Sequence, residues 1–156
     1  MTTIETRFGS IEYDPQNTVT FPEGLIGFTH LREFIVLPKE MTEPLFGLQS
    51  VEDGRVAFML ASPVQYFSDY HVMPGKRELD VLGIAPGDEF FLLATVTLQE
   101  DQQVTLNLAA PIIYTPKTDR AVQMVLETTE YSSRTPLPVR NTADDEAAPE
   151  AQTVNG

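Results

Sequence analysis

The sequence contains no cysteine, no tryptophan and only two histidines among its 156 residues. The absence of cysteine excludes disulfides, thiol nucleophiles and thiolate metal sites, and nothing in the chain requires an oxidising compartment. No apolar run approaches the roughly 20 residues that a membrane-spanning helix needs. We therefore expect a cytoplasmic protein that is stabilised by packing and does not associate with a membrane.

Basic residues are also scarce. Lys and Arg number 10 against 23 Asp and Glu, which gives a formal net charge of −13. Such a surface repels a phosphate backbone, so direct binding of nucleic acid is not expected. Because 42% of the residues are apolar, the chain is too hydrophobic for a disordered polyanion. The composition predicts an acidic, folded protein.

The composition changes near Pro138. From that residue to Gly156 the chain has four acids, one base, no aromatic residue and no Leu or Ile. Such a segment cannot bury enough apolar surface to offset the entropy lost on ordering. The sequence therefore predicts one folded domain over residues 1–137 and a disordered acidic tail over residues 138–156.

Apolar residues alternate with polar ones along most of the domain, which is typical of strands with one buried face. Continuous apolar runs from Phe34 to Leu37 and from Phe90 to Leu93 instead indicate strands that are covered on both faces or that cross the centre of a closed sheet. Together these patterns predict an all-β fold, a small antiparallel β-barrel-like domain with one or two short helices. The alternating runs are Ile4–Phe8, Val19–Phe21, Phe46–Leu48, Val56–Leu60, Leu92–Leu98, Val104–Leu108 and Val122–Leu126.

Glycine and proline mark the boundaries of the predicted elements. The pair Asp53-Gly54 predicts a tight hairpin turn, because glycine readily adopts the positive φ that such a turn requires. Lys76–Leu82 is predicted to be a helix that ends at Gly83, with a shorter helical turn starting at Thr29. Pro111 and Pro116 bracket Ile112–Tyr114, which predicts an edge strand or a strand end for that segment.

The sequence shows no arrangement typical of catalysis. Asp69 and His71 could cooperate in proton transfer, but neither a nucleophile nor an oxyanion donor accompanies them. Metal-ligand spacings and phosphate-binding glycine loops are also missing. We expect no catalytic residues, no metal and no cofactor. A small-ligand-binding β-barrel, or a carbohydrate-processing enzyme with paired carboxylates, remains the alternative, and a cavity with converging carboxylates would favour it.

Several segments combine turn-like sequence with many aromatic and apolar residues. They are Phe21–Phe28, Pro63–Tyr70 and Ala109–Tyr114. These side chains either fold back as lids over the barrel ends or form a rim that accepts an apolar helix of another protein. The second interpretation predicts a protein-binding function.

The same regions carry motifs that resemble the flagellar assembly factor FliW family, in order and at natural spacings over about residues 4–137. The segments that carry the resemblance are Gly24-Leu-Ile-Gly27-Phe28, Leu48-Gln-Ser-Val51 with Asp53 and Phe58, Ser62-Pro63, Phe67-x-Asp69-Tyr70, Leu82-Gly83-Ile84, Val104-x-Leu-Asn107-Leu-x-Ala-Pro111-Ile-Ile, Thr118-x-x-Ala121-x-Gln123-x-Val125-Leu126 and Tyr131-x-x-Arg134-x-Pro136-Leu137.

The resemblance implies a non-enzymatic, β-barrel-like protein that binds flagellin. When it is free of flagellin it would bind the small translational regulator CsrA and relieve repression of flagellin synthesis. A strongly acidic body is compatible with this scheme, because it favours encounter with a basic RNA-binding protein. We expect a monomer.

Two hypotheses assign residues to these partners. Flagellin would dock an amphipathic helix in an apolar groove around Phe28, Tyr66, Phe67 and Tyr70, chosen for their loop-like setting. CsrA would be recognised by acidic and amide groups near the same edge, namely Asp69, Asp88, Glu89 and Asn107, on the basis of charge complementarity.

Overall fold

A computed structural model describes residues 1–128, 130–138 and 152–153 of the chain. Its helices are short: α1 (Lys39–Thr42), α2 (Pro63–Tyr66) and α3 (Lys76–Leu82). The strands are β1 (Thr2–Thr6), β2 (Gly9–Tyr13), β3 (Val19–Thr20), β4 (Glu33–Val36), β5 (Phe46–Ser50), β6 (Ala57–Ala61), β7 (Glu89–Leu98), β8 (Val104–Leu106), β9 (Ile112–Thr115), β10 (Arg120–Gln123), β11 (Thr135–Pro136) and β12 (Gln152–Thr153).

Seven strands close into a barrel. Their order is β7-β6-β5-β4-β3-β10-β9, and β9 returns to pair with β7 through Leu92 and Ile113. The predicted all-β, barrel-like fold is therefore confirmed. Strands β1 and β2 form a separate hairpin. The ring is antiparallel except between β10 and β3, where Arg120 pairs with Thr20 in parallel.

Strand β7 has both of its faces covered. Phe90 and Leu92 on one face are 0% and 2% exposed, and they belong to a core outside the barrel. Phe91 and Leu93 on the other face line the barrel interior. Side chains alternate between the two faces of a strand, so a strand that separates two cores must be apolar at every position. The continuous run Phe90–Leu93 is explained in this way, as the sequence predicted.

The outer core lies between the barrel wall and the segment that carries α2 and α3. Helix α3 contributes Leu79 and the fully buried Leu82. It ends as predicted at Gly83, whose φ of 73° is left-handed. The Ile84 amide donates to the Leu79 carbonyl at 3.1 Å, and this bond closes the helix end.

Strands β8 and β9 follow the same edge of β7, which explains a bend between them. Val96 pairs with Leu106, whereas Leu93 pairs with Ile112, so three extra residues are accommodated in the segment from 107 to 111. Strand β11 then covers the outer edge of β8. The bend and the chain near β11 lie side by side, since the Leu108 amide donates to the Ser132 carbonyl at 3.0 Å.

The turn predicted at Asp53-Gly54 is wrong in its geometry. Strands β5 and β6 do form a hairpin, but β5 ends at Ser50 and β6 begins at Ala57, so the connection is longer than a tight turn. The backbone φ of Gly54 is not positive. Glycine is needed there for space, because a Cβ atom would collide with the Glu5 carbonyl oxygen of the β1–β2 hairpin.

The edge position predicted for Ile112–Tyr114 is also wrong. Strand β9 pairs with β10 on one side and with β7 on the other, so it lies inside the ring. Pro111 and Pro116 lie just outside the strand, where their missing amide hydrogens interrupt neither ladder. The chain does turn at Thr29 and His30 as predicted, but the turn is not extended into a helix, and β4 begins at Glu33.

The predicted disordered tail lies outside the described residues, apart from Pro138 and strand β12. The backbone of β12 pairs antiparallel with the start of β7, where Thr153 is opposite Glu89. None of the helices in the described part of the chain has the length and apolar composition needed to span a bilayer.

We expect Leu82→Ala to lower the free energy of unfolding by about 2–5 kcal/mol. Leu82 is 0% exposed, so truncation of its side chain leaves a cavity inside the outer core. Leu98→Ala is the matched control: Leu98 is 63% exposed, so its change should stay within about 0.5 kcal/mol. Urea denaturation of both variants measures the difference. Equal effects would contradict the placement of α3 against the barrel wall.

Candidate partner-binding groove

A groove of about 500 Å³ runs along the outer core, between the loop after α2 and the chain that leads into β11. Its walls combine aromatic side chains with a few polar ones. The lining residues are Tyr66, Phe67, Ser68, Asp69, Tyr70, Leu108, Glu130, Tyr131, Ser132 and Thr135. Four of the predicted partner-binding residues, Tyr66, Phe67, Asp69 and Tyr70, therefore lie together.

Tyr66 ends α2, and the loop that follows carries the other three residues. Pro63 occupies the first turn of the helix, where its fixed φ favours helix initiation and no amide hydrogen is needed. The Phe67 amide donates to the Pro63 carbonyl at 2.8 Å, and the Tyr70 amide donates to the Phe67 carbonyl at 2.9 Å. These successive turns place Phe67 half-buried at the groove wall, with Asp69 exposed beyond it.

Two tyrosines form the base of the groove. Tyr70 is only 4% exposed, and its ring meets that of Tyr131 edge-to-face with 4.6 Å between centroids. The Tyr70 hydroxyl donates to the Leu108 carbonyl at 2.7 Å. Burial, more than the neighbouring Tyr131, raises the pKa of the Tyr70 hydroxyl above its ordinary value, so this group stays a neutral donor. Tyr70 thus fixes the loop to the bend between β8 and β9.

The rim of the groove is acidic. Asp69 and Glu130 are exposed on its two sides, and the described residues that line it include no Lys or Arg. The groove therefore offers apolar aromatic surface between carboxylates. This arrangement suits a ligand with an apolar stripe that is flanked by basic side chains.

Phe28 lies elsewhere, half-buried against the core of the barrel. Its ring packs edge-to-face on Phe58 with 5.2 Å between centroids and lies next to His30. It belongs to the cluster that fills the barrel interior rather than to the groove. The structure thus does not bring Phe28 together with Tyr66, Phe67 and Tyr70, because the chain reverses between Leu25 and Phe28 and directs Phe28 to the other core.

The remaining predicted residues are also outside the groove. Asp88 accepts a hydrogen bond from the Ala85 amide at 2.8 Å and pairs with Lys117 at 3.2 Å. These two contacts, the amide first, lower the pKa of the Asp88 carboxyl. Glu89 is exposed at the start of β7. The Asn107 side-chain oxygen accepts the Ala109 and Ala110 amides at 3.1 Å each, which stabilises the bend that presents Leu108.

Sequence reasoning missed the other side of the groove, which consists of Leu108 and the segment from Glu130 to Thr135. Tyr131 had a signal of its own, since it is an aromatic residue in an otherwise polar stretch and part of the recognised family motif. The pairing of β11 with β8 brings this segment to Tyr70. Strand pairing between such distant segments cannot be deduced from local patterns.

Comparison with known proteins gives a consistent result. The family model described as "FliW protein" matches residues 2–137. The chain belongs to the FliW family. The matched range includes the whole groove, so every residue that lines it lies within the FliW domain.

Named FliW relatives cover nearly the same range. The chain is 54% identical over 138 residues to "Flagellar assembly factor FliW 2" of Desulfotalea psychrophila, covering 88% of this chain and 91% of the relative. It is 52% identical over 136 residues to "Flagellar assembly factor FliW" of Syntrophotalea carbinolica, and this match covers 87% of this chain and 97% of that relative. A solved structure, "Crystal structure of the flagellar assembly factor FliW", superposes with a TM-score of 0.79 at 29% identity over 88% of this chain and 98% of that one.

We expect Tyr70→Phe to lower the free energy of unfolding by about 1–3 kcal/mol, because the buried Leu108 carbonyl loses its donor. Tyr131→Phe is the control, since its hydroxyl accepts a longer 3.3 Å bond from the exposed His71 amide and should matter less. Thermal and urea unfolding measure both. A larger effect at Tyr131 than at Tyr70 would contradict this account of the groove base.

Proposed function

We propose that this FliW-family chain is a cytoplasmic, non-catalytic flagellar assembly factor that acts as a monomer. It binds flagellin through the groove. When it is free of flagellin, it binds the translational regulator CsrA and relieves repression of flagellin synthesis. Membership of the family and the naming of its relatives support the assembly role.

The observation that carries the flagellin proposal is the composition of the groove. Phe67, Tyr66 and the edge of Tyr131 supply half-buried aromatic surface along one channel. An amphipathic helix places one apolar side chain on the same face at every turn, so it fits a channel of this kind. Asp69 and Glu130 then lie where the polar flanks of the helix would pass.

The proposal for CsrA depends on charge rather than on shape. The chain carries 13 more acidic than basic groups, and Glu89 and Asp69 are exposed. Long-range attraction of this kind accelerates encounter with a basic protein and is weakened by salt. Asp88 is a weaker candidate because Lys117 already pairs with it. The side-chain oxygen of Asn107 likewise serves the chain's own bend.

No specific observation favours the carbohydrate-processing alternative. Within the described residues, no group of three or more His, Asp or Glu side chains is placed to hold a metal ion. A cavity in the barrel interior is lined, over the described ranges 1–128, 130–138 and 152–153, by side chains without a carboxylate. A hydrolase of this kind needs two carboxylates facing one substrate bond.

We expect Phe67→Ala to weaken binding of purified monomeric flagellin by about 2 kcal/mol, or roughly 30-fold, because an aromatic anchor is lost from the groove wall. Calorimetric titration measures the dissociation constant. Phe8→Ala is the matched control, since Phe8 is 42% exposed in the turn of the separate β1–β2 hairpin.

Phe67 also packs against the outer core, so a second variant separates binding from folding. Asp69→Arg alters only an exposed rim position, and it should lower flagellin affinity by repelling basic flanks of the helix. Circular dichroism confirms the fold of each variant. Unchanged affinity in both folded variants would remove the groove from the flagellin interface.

The CsrA proposal predicts an association rate that falls steeply between about 0.1 M and 1 M salt, over which the Debye length shrinks from about 10 Å to about 3 Å. Stopped-flow mixing of the two purified proteins measures this rate. Glu89→Lys should slow association more than Glu12→Lys, since Glu12 is also exposed but lies on the hairpin. A rate that is independent of salt, or equal for both variants, would refute the proposed role of Glu89.

A further inference from the structure

A second opening lies at one end of the barrel and leads to a cavity of about 230 Å³. It shares no lining residue with the groove, because its walls are the inward faces of the ring strands. Phe21, Leu60 and Ile112 form its floor and are 1%, 3% and 1% exposed. The cavity therefore reaches the barrel core and is not a shallow depression of the surface.

The lining of the cavity is hydrocarbon with one exception. Among the described residues that line it, only Tyr114 has a polar side chain, and its hydroxyl donates to the exposed Asp119 at 2.7 Å. The part of the chain that the structure describes places no charged side chain on the cavity wall. An ion placed there would lose its hydration without compensation, whereas an apolar molecule has no hydrogen bonds with water to give up. The chemistry of the walls thus selects a neutral, apolar occupant.

The mouth of the cavity leaves apolar surface open to solvent. Val36 stands at the mouth with 59% of its surface exposed, and Phe46 and Phe91 beside it are half-buried. The strands that carry them are fixed by their ladders, in which Phe46 pairs with Leu60 and Phe91 with Tyr114. These walls cannot collapse to fill the space without breaking register.

The volume decides the size of the occupant. A dry apolar cavity of about 150 Å³ in another protein is large enough to bind benzene. The cavity in this barrel is larger, with about 230 Å³. We propose that it binds a neutral, apolar small molecule, a monocyclic aromatic or short-alkyl compound. This site is additional to the proposed flagellin and CsrA functions and does not depend on them.

Titration of the unmodified full chain with n-propylbenzene, followed by methyl NMR, tests the proposal. We expect saturable shifts for the methyl groups of Leu60, Ile112 and Val19 on the cavity wall. The methyl groups of Leu79 and Leu82 in the outer core should not shift. The absence of saturable shifts up to the solubility limit, or equal shifts in the two cores, would overturn the proposal.

A pair of variants tests the entrance. Val36→Trp narrows the mouth and should weaken propylbenzene binding at least about tenfold, which corresponds to about 1.4 kcal/mol. Val125→Trp is the matched control, because Val125 is 63% exposed and does not line the cavity. Equal affinity in the two variants would overturn the assignment. A further combination of results would equally refute the proposal: Val36→Trp loses flagellin binding, Val125→Trp keeps it, and the unmodified chain takes up no propylbenzene. The mouth would then be assigned to a polypeptide.

Discussion

The fold depends on the burial of both faces of strand β7. Its inward side chains, Phe91 and Leu93, line the barrel interior. Its outward side chains, Phe90, Leu92 and Ala94, are at most 2% exposed and belong to the outer core. A sheet that carries apolar residues on both faces must be covered twice. The covering on the outside is the segment from α2 to α3, so the position of this segment follows from the composition of one strand.

The groove is a consequence of that second layer. The loop after α2 and the chain into β11 reach the outer core from opposite directions and meet over Tyr70 and Tyr131. The bend between β8 and β9 supplies the Leu108 carbonyl that holds Tyr70. The three extra residues of this bend keep the chain on the edge of β7 and turn the Leu108 carbonyl outward. The groove is thus preorganised by hydrogen bonds to the barrel framework, which reduces the ordering cost of binding.

Much of this architecture could be predicted from sequence because period-two alternation and glycine signals act locally. Helix α3 and its left-handed Gly83 are examples. Gly54 was misjudged because its constraint is a distant one, the approach of the Glu5 carbonyl. The same limit applies to the site. Tyr66, Phe67, Asp69 and Tyr70 are neighbours in sequence and could be grouped, whereas Tyr131 meets them only through strand pairing.

The two openings differ in the chemistry that they present, and the wall of the barrel separates them. The described lining of the cavity is hydrocarbon apart from Tyr114 and carries no charge, whereas the groove places Asp69 and Glu130 beside its aromatic base. Apolar contact alone would distinguish poorly between one ligand and another at either surface, because burial of hydrocarbon is non-directional. Carboxylates at a rim discriminate among helices by the charge of their flanks. The groove therefore has the chemistry to select among polypeptides by charge, whereas the barrel cavity offers only hydrocarbon contact.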